Sequence, residues 1–265
     1  MPVHSQIADQ PAAADRAAAL LGRLALVTGA AGSLGASISA ELARNGADVV
    51  IHHLNTPEQA DQLASTVEEM GRKAYITQAD VSVETEVQAM IDSIERDFGP
   101  ISILVNNAGY MDERPFLETS LELWQRTLDV DLTGVFLVSR AVAAHMVNRH
   151  SGNIINLASQ LAFKGGENVA PYSAAKAGVV GLTRAMAREL GPDLHVTAVA
   201  PGPLETAMTA PFADAEWLSE RTGSLIINRL GKTTEVAPIV AFLATDAAAL
   251  LTGQVLHVNG GGVMF

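Results

Sequence analysis

Leu24-Ala25-Leu26-Val27-Thr28-Gly29-Ala30-Ala31-Gly32-Ser33-Leu34-Gly35 runs from an apolar segment of strand type straight into a turn of small residues, and a helical segment follows. Small residues let backbone amides approach a pyrophosphate, and the positive end of the helix dipole then stabilises its charge. Such a turn also forms wherever a strand must bend tightly into a helix, and in isolation the two readings stand level. The rest of the chain decides between them. Leu24–Thr28, Asp48–His52, Ala74–Thr77, Ile101–Val105, Asn153–Ala158, Val196–Val199 and Gln254–Val258 read as strands, mostly short and without polar alternation, as expected when both sheet faces are covered. Helical patterns near 34–45, 57–70, 83–97, 120–148, 172–190 and 234–245 separate them. This alternation predicts an α/β fold, a Rossmann-type doubly wound parallel sheet of about seven strands with helices on both faces. In that setting the turn favours a dinucleotide.

A carboxylate for the adenosine ribose belongs at the end of the second strand, about 20 residues on. That end reads Ile51-His52-His53-Leu54-Asn55-Thr56, with no acid to repel a 2′-phosphate. The choice between NAD and NADP therefore leans to NADP. No arginine or lysine is there to hold the phosphate, so His53, Asn55 and Thr56 are the candidate hydrogen-bonding groups, unless the two histidines are only surface residues.

Composition bounds the function. A 265-residue chain can bury one sizeable core, and no linker or repeat divides it, so residues 22–265 form one domain behind a flexible N-terminal extension over 1–21. Lys plus Arg total 17 against 29 Asp plus Glu, a net charge of −12 that opposes binding to nucleic acid or an anionic membrane. The chain has no cysteine, which fits a reducing compartment, and its seven histidines show no zinc-like grouping, so no metal is expected. Nowhere do about 18 apolar residues run uninterrupted, so no spanning helix is expected and the cytoplasm is the default location. Pro203 to Asn228 is the one long stretch without an obvious strand, a candidate mobile lid over a site.

Tyr172-Ser173-Ala174-Ala175-Lys176 lies in a helical segment that Pro171 is well placed to open. Residues i and i+4 share a helix face, which sets a phenol beside an ammonium group. A free tyrosine, with a pKa of about 10, is a poor base near neutrality, and a neighbouring cation lowers that value. The pair is then either an acid/base device for an alcohol or carbonyl, or a solvated surface pair. Ser159, upstream at a strand end, reads equally as a turn residue.

Taken in order, the Thr28–Gly35 turn, Asp80-Val81, Asn106-Asn107-Ala108-Gly109, Ser159, Tyr172 with Lys176, Pro201-Gly202 and Asn259-Gly260-Gly261 resemble the short-chain dehydrogenase/reductase family from Gly22 to Val263. The resemblance implies that Gly29, Gly32, Ser33, Leu34 and Gly35 cradle the pyrophosphate, that Asp80 and Val81 bind adenine, and that Asn107, Ala108 and Gly109 run along the cofactor while Asn106 braces the sheet. It further implies that Tyr172 exchanges a proton with the substrate oxygen, Lys176 binds the nicotinamide ribose, Ser159 positions the carbonyl, and Pro201, Gly202, Leu204 and Thr206 lie beside the nicotinamide. Long helices near 120–148 and 172–190 pair across subunits in the family, which implies a homotetramer, with a dimer as the fallback.

Two positions depart from the family pattern. Ser33 stands where many members have glycine, and as a polar residue at a helix start it reads as a cap. Asp131 stands where the family usually has an asparagine holding a water behind the lysine; a carboxylate can accept from that water or from Lys176, and when ionised it opposes the lowering of the tyrosine pKa.

Within the family the chain looks closest to 3-oxoacyl-carrier-protein reductases and bacterial sugar dehydrogenases. Tyr110, Met111, Arg114, Gln160, Phe163 and Lys164 are the pocket candidates, with Ser159, Gln160 and Tyr172 facing a small polar sugar, polyol or 3-oxoacyl substrate. Arg140, Arg149 and His150 form only a thin basic patch for an acidic carrier protein. The alternative function is a catalytically impaired dinucleotide-binding protein with a regulatory or scaffolding role.

Overall fold

The computed structural model describes residues 19–210 and 214–264. Seven strands, β1 (Leu24–Val27), β2 (Asp48–His53), β3 (Ala74–Gln78), β4 (Ile101–Asn106), β5 (Gly152–Leu157), β6 (Leu194–Pro201) and β7 (Val255–Val258), form one parallel sheet in the order β3-β2-β1-β4-β5-β6-β7. The helices between them are α1 (Ser33–Arg44), α2 (Pro57–Glu69), α3 (Glu84–Asp97), α4 (Leu121–Leu128), α5 (Gly134–Asn148), the short α6 (Leu161–Lys164), α7 (Ala170–Leu190), α8 (Ala215–Gly223) and α9 (Thr233–Leu243).

The lack of regular polar alternation along the strands follows from two cores. Alternate residues point to opposite sheet faces. Ala25 and Val27 pack with Ile38, Leu42, Val236 and Val240 of α1 and α9, whereas Leu24 and Leu26 pack with Ile91, Ile94, Val138 and Met146 of α3 and α5. The order reverses between β1 and β4, which lie side by side with Val27 opposite Val105. A ligand crevice opens at such a switch point, beyond the carboxyl ends of the strands.

The expected extension over 1–21 falls mostly outside the described residues, but its last part is not outside the core. Leu20 is fully buried, and its N–H donates to the Asn45 carbonyl at 2.8 Å. The Pro203–Asn228 stretch, which shows no obvious strand in the sequence, contains the helix α8, whose first turn is capped by the Asp214 side chain accepting the Trp217 N–H at 2.8 Å.

Leu121–Asn148 is one continuous helical run, with a single turn of π-helix at Asp129–Thr133 joining α4 to α5. It is long and apolar enough to cross a membrane by length and composition. More than half of its apolar window is buried, however, and α5 packs against the sheet, so it serves as a core helix. A π-turn inserts one residue into a helix and re-aims the side chains around it. Here the residue re-aimed is Asp131.

Candidate active site

At the head of the crevice, Gly29 takes a left-handed φ of +61°, and a Cβ on it would lie 2.9 Å from the Ala108 Cα. Gly35 is more constrained, since a Cβ there would meet the Gly29 carbonyl at 2.3 Å. The Thr28 hydroxyl accepts the N–H groups of Asn107 and Ala108 at 2.9 and 3.0 Å, and the Asn107 amide donates to the carbonyls of Thr28 and Gly29. Asn107 thus ties the two loops of the switch point together. Asn106 braces the interior, donating to Ser139 Oγ and Asn156 Oδ1, both at 2.8 Å. No side chain caps α1, which leaves the amides of its first turn to an anion.

Ser33 does not cap that helix. The cap position belongs to Gly32, and Ser33 is the first helical residue; its Oγ accepts the Ala207 N–H at 3.1 Å, joining the turn to the segment after β6.

From this turn a cleft of about 1020 Å³ extends across the strand ends. Gly29, Gly32, Ser33, Leu34, Gly35, Asn107, Ala108 and Gly109 line one end, and Ser159, Gln160, Tyr172, Lys176, Pro201, Gly202, Leu204 and Thr206 line the other. Thr56 lines it too, but His53, Asn55, Asp80 and Val81 do not. His53 is buried, and its Nδ1 accepts the Thr56 N–H at 3.3 Å, so the side chain is turned inward. The Asp80 carboxylate accepts from the Ser82 N–H and hydroxyl at 2.9 and 2.6 Å and shapes the loop after β3. Among the pocket candidates, Met111, Gln160 and Lys164 line the cleft, while Tyr110, Arg114 and Phe163 do not. The Tyr110 ring instead lies under Arg126, 4.3 Å from its guanidinium carbon.

Ser159 follows β5, where the Ala158 and Gln160 N–H groups donate to the Val199 and Pro201 carbonyls of β6. Its Oγ accepts the Leu161 N–H at 3.1 Å, so the turn role is real, and the hydroxyl proton is still available to hydrogen-bond Tyr172. Pro171 lies in the first turn of α7, Tyr172 follows half-buried, and Lys176 Nζ sits 5.4 Å from the Tyr172 ring centroid.

Asp131 is fully buried, with Oδ1 2.9 Å from Lys176 Nζ and Oδ2 accepting the Tyr110 N–H at 2.9 Å. Two glycines make this approach possible. A Cβ on Gly109 would fall 2.9 Å from Asp131 Oδ1, and one on Gly178 of α7 would fall 2.7 Å from Leu132 in the π-turn. The carboxylate therefore contacts the lysine directly.

The charges of this cluster pull against one another. Burial raises the Tyr172 pKa; the Lys176 ammonium lowers it, the Asp131 carboxylate raises it, and the Ser159 hydrogen bond lowers it, with a net shift upward. Burial also raises the Asp131 pKa, against the pull of Lys176. For Lys176 burial acts downward, but Asp131 and Tyr172 outweigh it and hold the ammonium charged.

Glu113 completes the outer wall and was not foreseen, and Trp217 and Arg221 join it from the Pro203–Asn228 stretch expected over the site. Arg221 Nη2 lies 3.3 Å from Glu113 Oε1, and Trp217 Nε1 donates to the same oxygen at 3.4 Å, which fastens α8 to the loop after β4. The Asp214-Ala215-Glu216-Trp217 capping pattern was the signal that could have revealed α8.

Residues 29–262 match the family described as enoyl-(acyl carrier protein) reductase. A 3-oxoacyl-(acyl-carrier-protein) reductase FabG of Staphylococcus aureus is 38% identical over 241 residues, covering 91% of this chain and 98% of the relative. A short-chain type dehydrogenase/reductase of Picea abies is 39% identical over 251 residues, covering 91% and 93%. The structure of a gluconate 5-dehydrogenase from Burkholderia cenocepacia in complex with NADP and tartrate superposes with a TM-score of 0.88 at 35% identity, covering 94% of this chain and 98% of that one. With a sheet of this order, a glycine-built switch point and these relatives along nearly its whole length, the chain belongs to the short-chain dehydrogenase/reductase family of oxidoreductases.

Proposed function

We propose that the protein interconverts a secondary alcohol and a carbonyl on a small polar substrate, with Tyr172 as the acid/base group. The observation that carries this reading is the convergence of Ser159, Tyr172 and Lys176 on one wall of a cleft that begins at the glycine turn. A nicotinamide dinucleotide is the cofactor and, when bound, supplies or accepts the hydride. The uncapped first turn of α1 fits its pyrophosphate, and Pro201, Gly202, Leu204 and Thr206 flank the position of its nicotinamide. Ser159 orients the substrate oxygen and Tyr172 exchanges a proton with it. Lys176 holds positive charge beneath the phenol, and Asp131 sets how much of that charge Tyr172 feels. NADP is the preferred form, since the end of β2 offers Thr56 to the cleft and no acid.

A free sugar or polyol is favoured as the substrate. Each basic side chain of the thin carrier patch already faces an acid: Arg140 pairs with Glu84, Arg149 pairs with Glu95 at 2.8 Å, and His150 Nδ1 lies 3.0 Å from Asp193 Oδ2. The outer cleft adds Glu167, Asp214, Glu216 and Glu220, a rim that repels an acidic partner. The likeness to a gluconate 5-dehydrogenase supports a small polyhydroxylated substrate over a thioester. The second reading, a 3-oxoacyl thioester, is favoured by the 38% identity to FabG. A homotetramer in the cytoplasm completes the proposal.

Sugars, polyols and β-keto esters, each offered with NAD and with NADP, separate these readings by nicotinamide absorbance. The expected result is turnover of a sugar or polyol with NADP. Turnover of β-keto esters alone favours the thioester, and absence of turnover across the panel contradicts the proposal.

A further inference from the structure

Behind the glycine turn lies a side chain that none of the roles above employs. His52, near the end of β2, is 2% exposed. Its Nδ1 accepts the Gly29 N–H at 3.0 Å, and its carbonyl accepts the Ala30 N–H at 2.8 Å. A backbone amide can only donate, so Nδ1 carries no proton. The proton is on Nε2, which donates to the Ala79 carbonyl at 2.9 Å. The imidazole thus spans the turn and the end of β3, and it holds Gly29 in the left-handed conformation that the close approach of Ala108 requires. A proton on Nδ1 would set two N–H groups against each other and break the bond to the turn.

We infer that neutral His52 is a positioning residue for dinucleotide binding, and that acid weakens that binding by protonating Nδ1 and releasing Gly29. The inference rests on the proposed dinucleotide site. Burial is the largest influence on this imidazole and holds its pKa below the ordinary histidine value; the Ala79 hydrogen bond opposes it, His53 beside it on β2 adds to it, and Asp80 beyond β3 opposes it. The sign follows from the tautomer. Binding is intact while Nδ1 is unprotonated and declines as pH falls through the folded-state value.

NADH is the suitable probe, because it lacks the 2′-phosphate whose ionisation near pH 6 would overlay the effect. Its affinity is read from nicotinamide fluorescence between acid and neutral pH in three proteins. The wild type is expected to bind progressively more weakly as pH falls below the ordinary histidine range. His52→Phe, which leaves the Gly29 amide without an acceptor, is expected to bind about tenfold more weakly at neutral pH, with little further change in acid. His52→Asn restores a non-titrating acceptor and is expected to bind within about threefold of wild type, with a flat acid profile. An acid profile in His52→Asn identical to wild type overturns the inference, as does unchanged affinity in His52→Phe. Absence of NADH and NADPH binding in the wild type at every pH would instead remove the dinucleotide site itself.

Discussion

Replacement of Tyr172 with phenylalanine is expected to lower kcat by about two to four orders of magnitude while dinucleotide binding survives. The substitution keeps the ring that lies 5.4 Å from Lys176 Nζ and removes only the oxygen that Ser159 hydrogen-bonds. Ser159 remains to orient the substrate oxygen, but an aliphatic hydroxyl is far too weak an acid to take the place of the phenol in proton exchange. Steady-state turnover with the preferred substrate, together with nicotinamide fluorescence for binding, reads both halves. A scaffolding role predicts that neither changes. Turnover at the wild-type rate would remove Tyr172 from the chemistry.

The second large effect concerns stability. Asp131→Leu is expected to destabilise the protein by about 3–5 kcal/mol, because it leaves the Lys176 ammonium buried without a partner. The carboxylate contacts Lys176 Nζ at 2.9 Å and also accepts the Tyr110 N–H, so two buried donors lose their acceptor. Leucine keeps the branched shape, but its methyl groups are bulkier than carboxylate oxygens, so overpacking adds to the lost charge and hydrogen bonds. Asp131→Asn keeps an amide oxygen for one of the donors and should cost clearly less. Urea denaturation of the three proteins provides the comparison, and equal stability for wild type and Asp131→Leu would mean that the pair does not hold α7 to the π-turn.

Much of this was readable from residues, and the exceptions have physical causes. The seven strands stood out because a parallel sheet covered on both faces needs apolar runs such as Leu24–Val27. Tyr172 and Lys176 could be placed on one face from helical spacing, and Pro171 marked where that helix opens. The Asp131–Lys176 contact was left open, because Asp129-Val130-Asp131-Leu132-Thr133 shows nothing that distinguishes a π-turn from an ordinary helix. Its geometry depends on Gly109 and Gly178, which come from distant parts of the chain. The surface alternative for the paired histidines fails for a related reason, since both are buried. A strand end followed by a loop reads as surface, yet His52 bonds across to Gly29 and Ala79 while His53 folds onto Thr56. Helix α8 was hidden by the polar, proline-flanked composition around it, and only the Asp214 cap marked its start.

At the centre of this account is a phenol whose pKa burial raises and two opposing charges adjust, Lys176 downward and Asp131 upward. The most direct measurement is the pH dependence of kcat/KM for alcohol oxidation in the wild type and in Asp131→Asn. Oxidation needs the phenolate, so the rate rises with pH through the Tyr172 pKa, and Asp131 acts to raise that pKa. Removing the carboxylate should move the rising limb to lower pH, and superimposable profiles would contradict the account.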